Sequence, residues 1–168
     1  FSPGAIWWNG GYAGSEDTNY FANYSVSVKV DWQAGSTTDT FGLILDAPEN
    51  TGGSADSISF HITYDGKYFI GTWQGSWQTL AYEPSNSIIS GGAQNKLTVE
   101  KSGNEYRFLI NDTQVELLTI NGFTGGAIGL ETTQNVVVRF DDSLTLNGSG
   151  PTCDGCTITS WDWSLEHQ

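Results

Sequence analysis

The sequence predicts an all-β fold, an antiparallel β-sandwich of the jelly-roll type. Three observations predict it. Apolar residues recur with a period of two along most of the chain, whereas the 3.6-residue period of an amphipathic helix is hard to find anywhere. Clusters of Gly, Asn, Asp and Ser interrupt these runs at roughly 8 to 12 residue intervals, the rhythm of short strands joined by turns. The composition is 13% aromatic and rich in Ser and Thr, with no Met, which suits pleated, half-buried surfaces better than helices. At 168 residues the chain is long enough for one domain with its own core.

Each element follows from its pattern. Residues 5–12 make a short first strand with adjacent Trp7 and Trp8; strand neighbours face opposite ways, so at most one of the pair belongs to the core. Residues 24–32 alternate Val26, Val28, Val30 and Trp32 with Ser25, Ser27, Lys29 and Asp31, a half-buried strand. A polar loop at 33–40 leads to a strand at 41–47, followed by a Gly- and acid-rich loop at 48–56.

Residues 58–82 read as three strands joined by two tight turns, Asp65-Gly66 and Gly75-Ser76. As two-residue turns they set Tyr64 opposite Lys67 and Gln74 opposite Trp77, which assigns every side chain to a face. One face then carries Phe60, Ile62, Phe69, Trp73 and Leu80. The other carries His61, Thr63, Tyr68, Ile70, Thr72, Gln74, Trp77 and Thr79. A one-residue change in either turn puts Trp73 in the place of Trp77.

Residues 96–101 and 106–111 form a hairpin around Ser102-Gly103-Asn104, with Leu97, Val99, Tyr106, Phe108 and Ile110 as core. Strands at 115–120, 127–131 and 136–146 complete a sandwich spanning residues 1–146. The remainder, 147–168, reads as a flexible connector at 147–151 and a final alternating segment at 157–165, an edge strand of the same domain. Its Cys153 and Cys156, in CDGC, are a small local disulfide or two free thiols. A zinc site lacks ligands, because His61 and His167 are the two histidines of the chain.

A formal net charge of -13, with six Lys plus Arg, argues against nucleic acid or an anionic membrane surface as partner. No apolar run approaches the roughly 20 residues that span a bilayer. The chain opens at Phe1 with no basic-then-apolar leader, which fits a processed domain at a secreted or cell-surface location.

The polar and aromatic face of the 58–82 ribbon is what carbohydrate recognition asks for. Sugar faces stack on rings, here Tyr68 and Trp77, while hydroxyls need fixed donors and acceptors such as His61, Thr63, Thr72 and Gln74. Arg107 and Glu131 complete the expected ligand-binding set. Oxygen ligands from Asp46, Glu49 and Asn50, or from Glu16 and Asp17, are candidates for a structural Ca2+.

The segments YSVSVKVDW, FGLILDA, ISFHITYDGKYFIGTW, GGAIGLET and VRFDDSLTL, with the stretch 75–112 between them, cover about residues 24–146. In order and spacing this stretch resembles the laminin-G-like branch of the concanavalin A-like lectin/glucanase superfamily, in its bacterial surface or carbohydrate-binding-module form. The resemblance implies the fold and leaves activity open, because the group serves several purposes. Three departures stand out: Asp46 occupies a position where the branch has a basic residue, His61 one where it has an acidic residue, and the tail 147–168, with its CDGC, has no counterpart in the branch. The glucanases' alternating Glu-x-Asp-x-x-Glu strand is absent, leaving Glu131, Asp31, Asp46 and Asp141 as scattered carboxylates. The expectation is a non-catalytic extracellular glycan-binding module. The competing readings are a surface adhesin or filament subunit that self-associates through its terminal strands, and a glycan hydrolase or lyase.

Overall fold

The computed structural model describes residues 6–8, 23–47, 56–133, 135–140, 145–150 and 153–157, and among these there are thirteen strands and no helix. Two antiparallel sheets stack face to face. The six-stranded sheet has the order β1-β10-β3-β4-β5-β6, built from Ile6–Trp8, Ala127–Thr132, Phe41–Ala47, Ser57–Ile62, Lys67–Trp73 and Trp77–Pro84. The seven-stranded sheet has the order β13-β12-β2-β7-β8-β9, built from Cys153–Thr157, Thr145–Gly150, Asn23–Gly35, Asn95–Ser102, Glu105–Ile110 and Thr113–Thr119. β11, Val136–Phe140, pairs with the far end of β2.

On β2, β7 and β8 the inner faces are those the alternation foretold. Val26, Val28 and Val30 of β2, Leu97 and Val99 of β7, and Phe108 and Ile110 of β8 are buried against Leu43, Leu45, Ile58, Phe60, Ile62 and Ile70 of the opposite sheet. Phe60 and Phe108 meet edge to face across the sandwich, with ring centroids 5.1 Å apart.

β2 is 13 residues long and needs partners along both edges. β7 takes one edge; β11 and β12 share the other, Val136–Phe140 against residues 30–35 and β12 against Asn23 to Ser27. The connector expected at 147–151 is therefore a strand as far as Gly150, because its backbone completes the ladder beside Asn23 and Tyr24. β13 then pairs with β12 at the sheet edge; the expected segment beyond residue 157 lies outside the described residues.

One polar row crosses the core. Tyr24, Lys101 and Tyr106 are cross-strand partners on β2, β7 and β8 and face Asp46 of β3. Asp46 adopts φ 53°, within an irregularity of the β3–β10 ladder, so its carboxylate turns inward beside Leu45 instead of outward. Lys101 Nζ donates to Asp46 Oδ2 at 2.9 Å and to the Phe123 carbonyl at 3.4 Å; the Tyr106 hydroxyl donates to the same Oδ2. The Lys101 ammonium also lies 5.2 Å from the Tyr106 ring centroid and 5.7 Å from that of Tyr24. The position where a basic residue was expected is thus acidic, and its charge is met by a lysine from the opposite sheet.

Candidate functional site

Both ribbon turns contain three residues instead of two. Thr63 pairs with Lys67 around Tyr64-Asp65-Gly66, and Trp73 pairs with Trp77 around Gln74-Gly75-Ser76. Gly66 at φ 89° supplies the left-handed residue that a three-residue hairpin loop needs. The Thr63 hydroxyl fixes that turn, donating to Asp65 and accepting from the Lys67 amide at 3.0 Å.

This single extra residue reverses the facing of β5 relative to β4. Ile62 lies opposite Tyr68, Phe60 opposite Ile70 and Ile58 opposite Thr72, so these residues share the core face. The expected ligand residues Tyr68 and Thr72 are consequently buried, at 5% and 4% exposure, while Thr63, ahead of the turn on the His61 side, is buried within the turn it fixes, at 0%. Tyr68 reaches across the sandwich to donate its hydroxyl to Glu116 Oε1 at 2.8 Å. Burial, and then Glu116 beside it, push its pKa up to about 12. The physical reason for this register is that it buries Ile58, Phe60, Ile62 and Ile70 together, whereas the two-residue register separates Ile70 from the others.

Phe69 and Trp73, expected inside, lie on the outer face with Trp77 and Tyr82. Phe69 is directly opposite Tyr82, and Trp73 opposite Trp77. The irregularity after Ile70 falls at Leu80 on β6 and preserves this facing to the end of the strand. Phe69 and Trp77 stack with centroids 5.5 Å apart and planes within 8°. They close over Gly71: a Cβ there would stand 2.5 Å from Phe69 Cζ and 2.6 Å from Trp77 Cζ2, so the stack exists because position 71 has no side chain. Trp77 and Tyr82 remain 47% and 45% exposed.

A polar cluster adjoins these rings on the same face. His61, 3% exposed, has its ring centroid 6.0 Å from that of Phe69. Its Nδ1 is 3.1 Å from the Thr40 hydroxyl. Its Nε2 is 3.1 Å from Glu131 Oε2, close enough for an ion pair when the imidazole is protonated but not aligned as a hydrogen bond. Ser59 donates to the same Glu131 oxygen at 3.2 Å. Burial pushes the Glu131 carboxyl up, but His61 and the Ser59 hydroxyl outweigh it and hold the group below its ordinary range. His61, Trp77 and Glu131 of the expected set therefore come together on one face, β4, β6 and β10 contributing one each.

The other expected residues lie elsewhere. Gln74 is in the turn, its side-chain amide donating to the Asn121 carbonyl at 3.2 Å. Arg107 belongs to the opposite sheet, exposed and paired with Glu100 at 3.2 Å, because β8 pairs with β7 and β9 instead of joining the ribbon. Asp46 faces the core ion pair and not a loop, so it is not offered to a surface cation; Glu49, Asn50, Glu16 and Asp17 lie outside the described residues. No cluster of three or more His, Cys, Asp or Glu suited to a metal ion occurs among the described residues. Cys153 and Cys156 sit on β13, where the description extends to the backbone alone.

Sequence reasoning missed Phe69, Gly71, Trp73, Tyr82, Ser59 and Thr40. The signal for the first four was present in the turn itself: Thr63 two residues before Asp65, with Gly66 following, is the chemistry of the longer loop.

No protein-family model matches this chain, and no curated protein sequence does. Solved structures do match. The chain is similar to carbohydrate binding module CBM66 from Bacillus subtilis, with a TM-score of 0.65, 12% identity and 76% of each chain covered. It is similar to sheep galectin-11 in complex with glycerol, with a TM-score of 0.55, 14% identity, and 83% of this chain and 98% of that one covered. It is also similar to the GH43 protein BlXynB from Bacillus licheniformis, with a TM-score of 0.53 and 13% identity, over 71% of this chain but 26% of that one. These likenesses show the fold: a concanavalin A-like, jelly-roll type β-sandwich.

Proposed function

We propose that this domain binds carbohydrate, without catalysis, on the outer face of the six-stranded sheet. The observation that carries the reading is the exposed Trp77 ring, stacked on Phe69 and flanked by Trp73, Tyr82 and the His61–Glu131–Ser59 cluster. A half-exposed indole held rigid by stacking offers an apolar plane to a sugar ring at little entropic cost, and the nearby Glu131 carboxylate, oriented by His61 and Ser59, offers hydrogen bonds to hydroxyls. The neighbouring solved structures, a carbohydrate-binding module and a galectin by their names, support the same reading.

Absence of catalysis rests on the carboxylates. Glycoside hydrolysis needs two of them flanking one bond. Among the described residues, Glu131 contacts His61 and Ser59 but no second carboxylate, Asp46 is held in the core, and Asp31 pairs with Arg139 on the opposite sheet. Placement in the laminin-G-like branch is proposed on the order and spacing of its segments; at 46 and 61 the chain departs from that branch, and each departure is met by a partner, Lys101 and Glu131. Affinity electrophoresis against a panel of polysaccharides tests the function: retardation by at least one glycan, weakened in Trp77→Ala, is expected. Unretarded migration on every glycan refutes it.

Assembly through terminal strands is favoured by one observation, that β1 and β13 occupy outer edges of the two sheets. Sedimentation over a hundredfold concentration range tests that reading; a constant monomer mass refutes it.

A further inference from the structure

The rings on the outer face form a row along the β5–β6 ribbon instead of a single platform. From the Gln74-Gly75-Ser76 turn toward Lys67 the order is Trp73, Trp77, Phe69, Tyr82, with successive centroids 6.4, 5.5 and 6.3 Å apart. The row zigzags between the two strands: Trp73 faces Trp77 at one end and Phe69 faces Tyr82 at the other. The four-residue separation of Phe69 and Trp73 gives it a length of roughly 13 Å along the strands, room for two or three sugar rings end to end. Among the described residues β6 is the last strand of its sheet, and no described strand flanks a ligand lying along it.

The charges beside the row are compensated. Lys67 Nζ lies 5.4 Å from the Tyr82 centroid, but its charge is met by Asp65 Oδ2 at 3.2 Å. Glu131 has His61 as its partner. Among the described residues a polyanionic ligand would find no uncompensated cation along this row, and the chain's net charge of -13 opposes its approach.

We infer that the row is a set of consecutive subsites for internal units of an extended, neutral polysaccharide, in contrast to a pocket for a single terminal sugar. This inference rests on the glycan-binding function proposed above and specifies its ligand. Trp77, whose ring neighbours both Trp73 and Phe69, is then an inner subsite, and Tyr82, at the Lys67 end, an outlying one that a short oligosaccharide does not reach.

The full chain, wild type and with Trp77→Ala or Tyr82→Ala, is run by affinity electrophoresis on neutral polymers (hydroxyethylcellulose, xyloglucan, arabinoxylan, galactomannan, laminarin, inulin) and on acidic ones (alginate, polygalacturonate). Oligosaccharides of one to six units from the best neutral polymer are then titrated by calorimetry. Affinity is expected to rise at least tenfold from one unit to three and to level off soon after. Trp77→Ala is expected to weaken every oligomer, and Tyr82→Ala to shrink the gain in affinity from the shortest oligomer to the longest. Both side chains are about half exposed, and a melting temperature within a few degrees of wild type confirms that each variant folds. Equal affinity for one unit and three, or a preference for the acidic polymers, overturns the inference while glycan binding stands. No retardation on any polymer overturns both.

Discussion

Replacing Lys101 by Met removes the ammonium that Asp46 faces in the interior, where the two side chains are 1% and 0% exposed. Breaking a buried pair from one side leaves an uncompensated charge, at a cost of about 3 to 5 kcal/mol. Asp46 Oδ1 has no hydrogen-bond partner and the Tyr106 hydroxyl is the remaining donor to Oδ2, so little else solvates that carboxylate. For a domain of this size each kcal/mol moves the melting temperature by about 2 to 4 °C, which places Lys101→Met roughly 6 to 20 °C below wild type. The double variant Lys101→Met with Asp46→Asn removes both charges. Asn tolerates the left-handed φ of 53° and keeps an acceptor for Tyr106, so most of the loss should return. Urea unfolding followed by circular dichroism and tryptophan fluorescence measures each corner of the cycle. A single variant costing under about 1 kcal/mol, or a double variant as unstable as the sum of the singles, would show that the pair is not the buried, mutually compensating one argued from the structure.

Three further outcomes are expected. Gly71→Ala forces Phe69 and Trp77 apart and should lower affinity for the best-binding neutral oligosaccharide about tenfold, or about 1.4 kcal/mol; unchanged affinity by calorimetry would show that the stack is not part of the binding surface. Glu131 is held below its ordinary pKa, so its contribution to stability is complete above the unfolded value of about 4.3 and disappears as pH falls through the folded one. The melting temperatures of wild type and Glu131→Gln should therefore differ at pH 7 and converge in acid; a gap that persists at pH 2 refutes this. Burial raises Tyr68 to about 12 and pushes Tyr24 and Tyr106 upward as well. The stability these groups lend is full below about pH 10 and is lost as pH rises through the folded values, so thermal scans from pH 9 to 12 should fall steadily, and less steeply in Tyr68→Phe.

The strands themselves were legible because alternation is a local signal. Val26, Val28 and Val30 declare one buried face without reference to anything else in the chain, and Leu97, Val99, Phe108 and Ile110 do the same around a visible turn. The exposure of Trp77 and the outward facing of His61 were read correctly. The Tyr68 side of the site was inverted because facing in a hairpin depends on the parity of its loop, and one residue more in the first turn sends Tyr68 and Thr72 inward and Phe69 and Trp73 outward.

Sequence alone thus determined the all-β class, the core faces of β2, β7 and β8 and the aromatic supply of the ribbon, since each is written in neighbouring residues. Tertiary structure decided which residues meet. Glu131 lies seventy residues from His61, Lys101 fifty-five from Asp46, and Arg107 on a strand that joined the other sheet. Those contacts are set by strand order, which brings together residues distant in the chain so that the two sheets bury their apolar faces, a collective demand that no short window of residues contains.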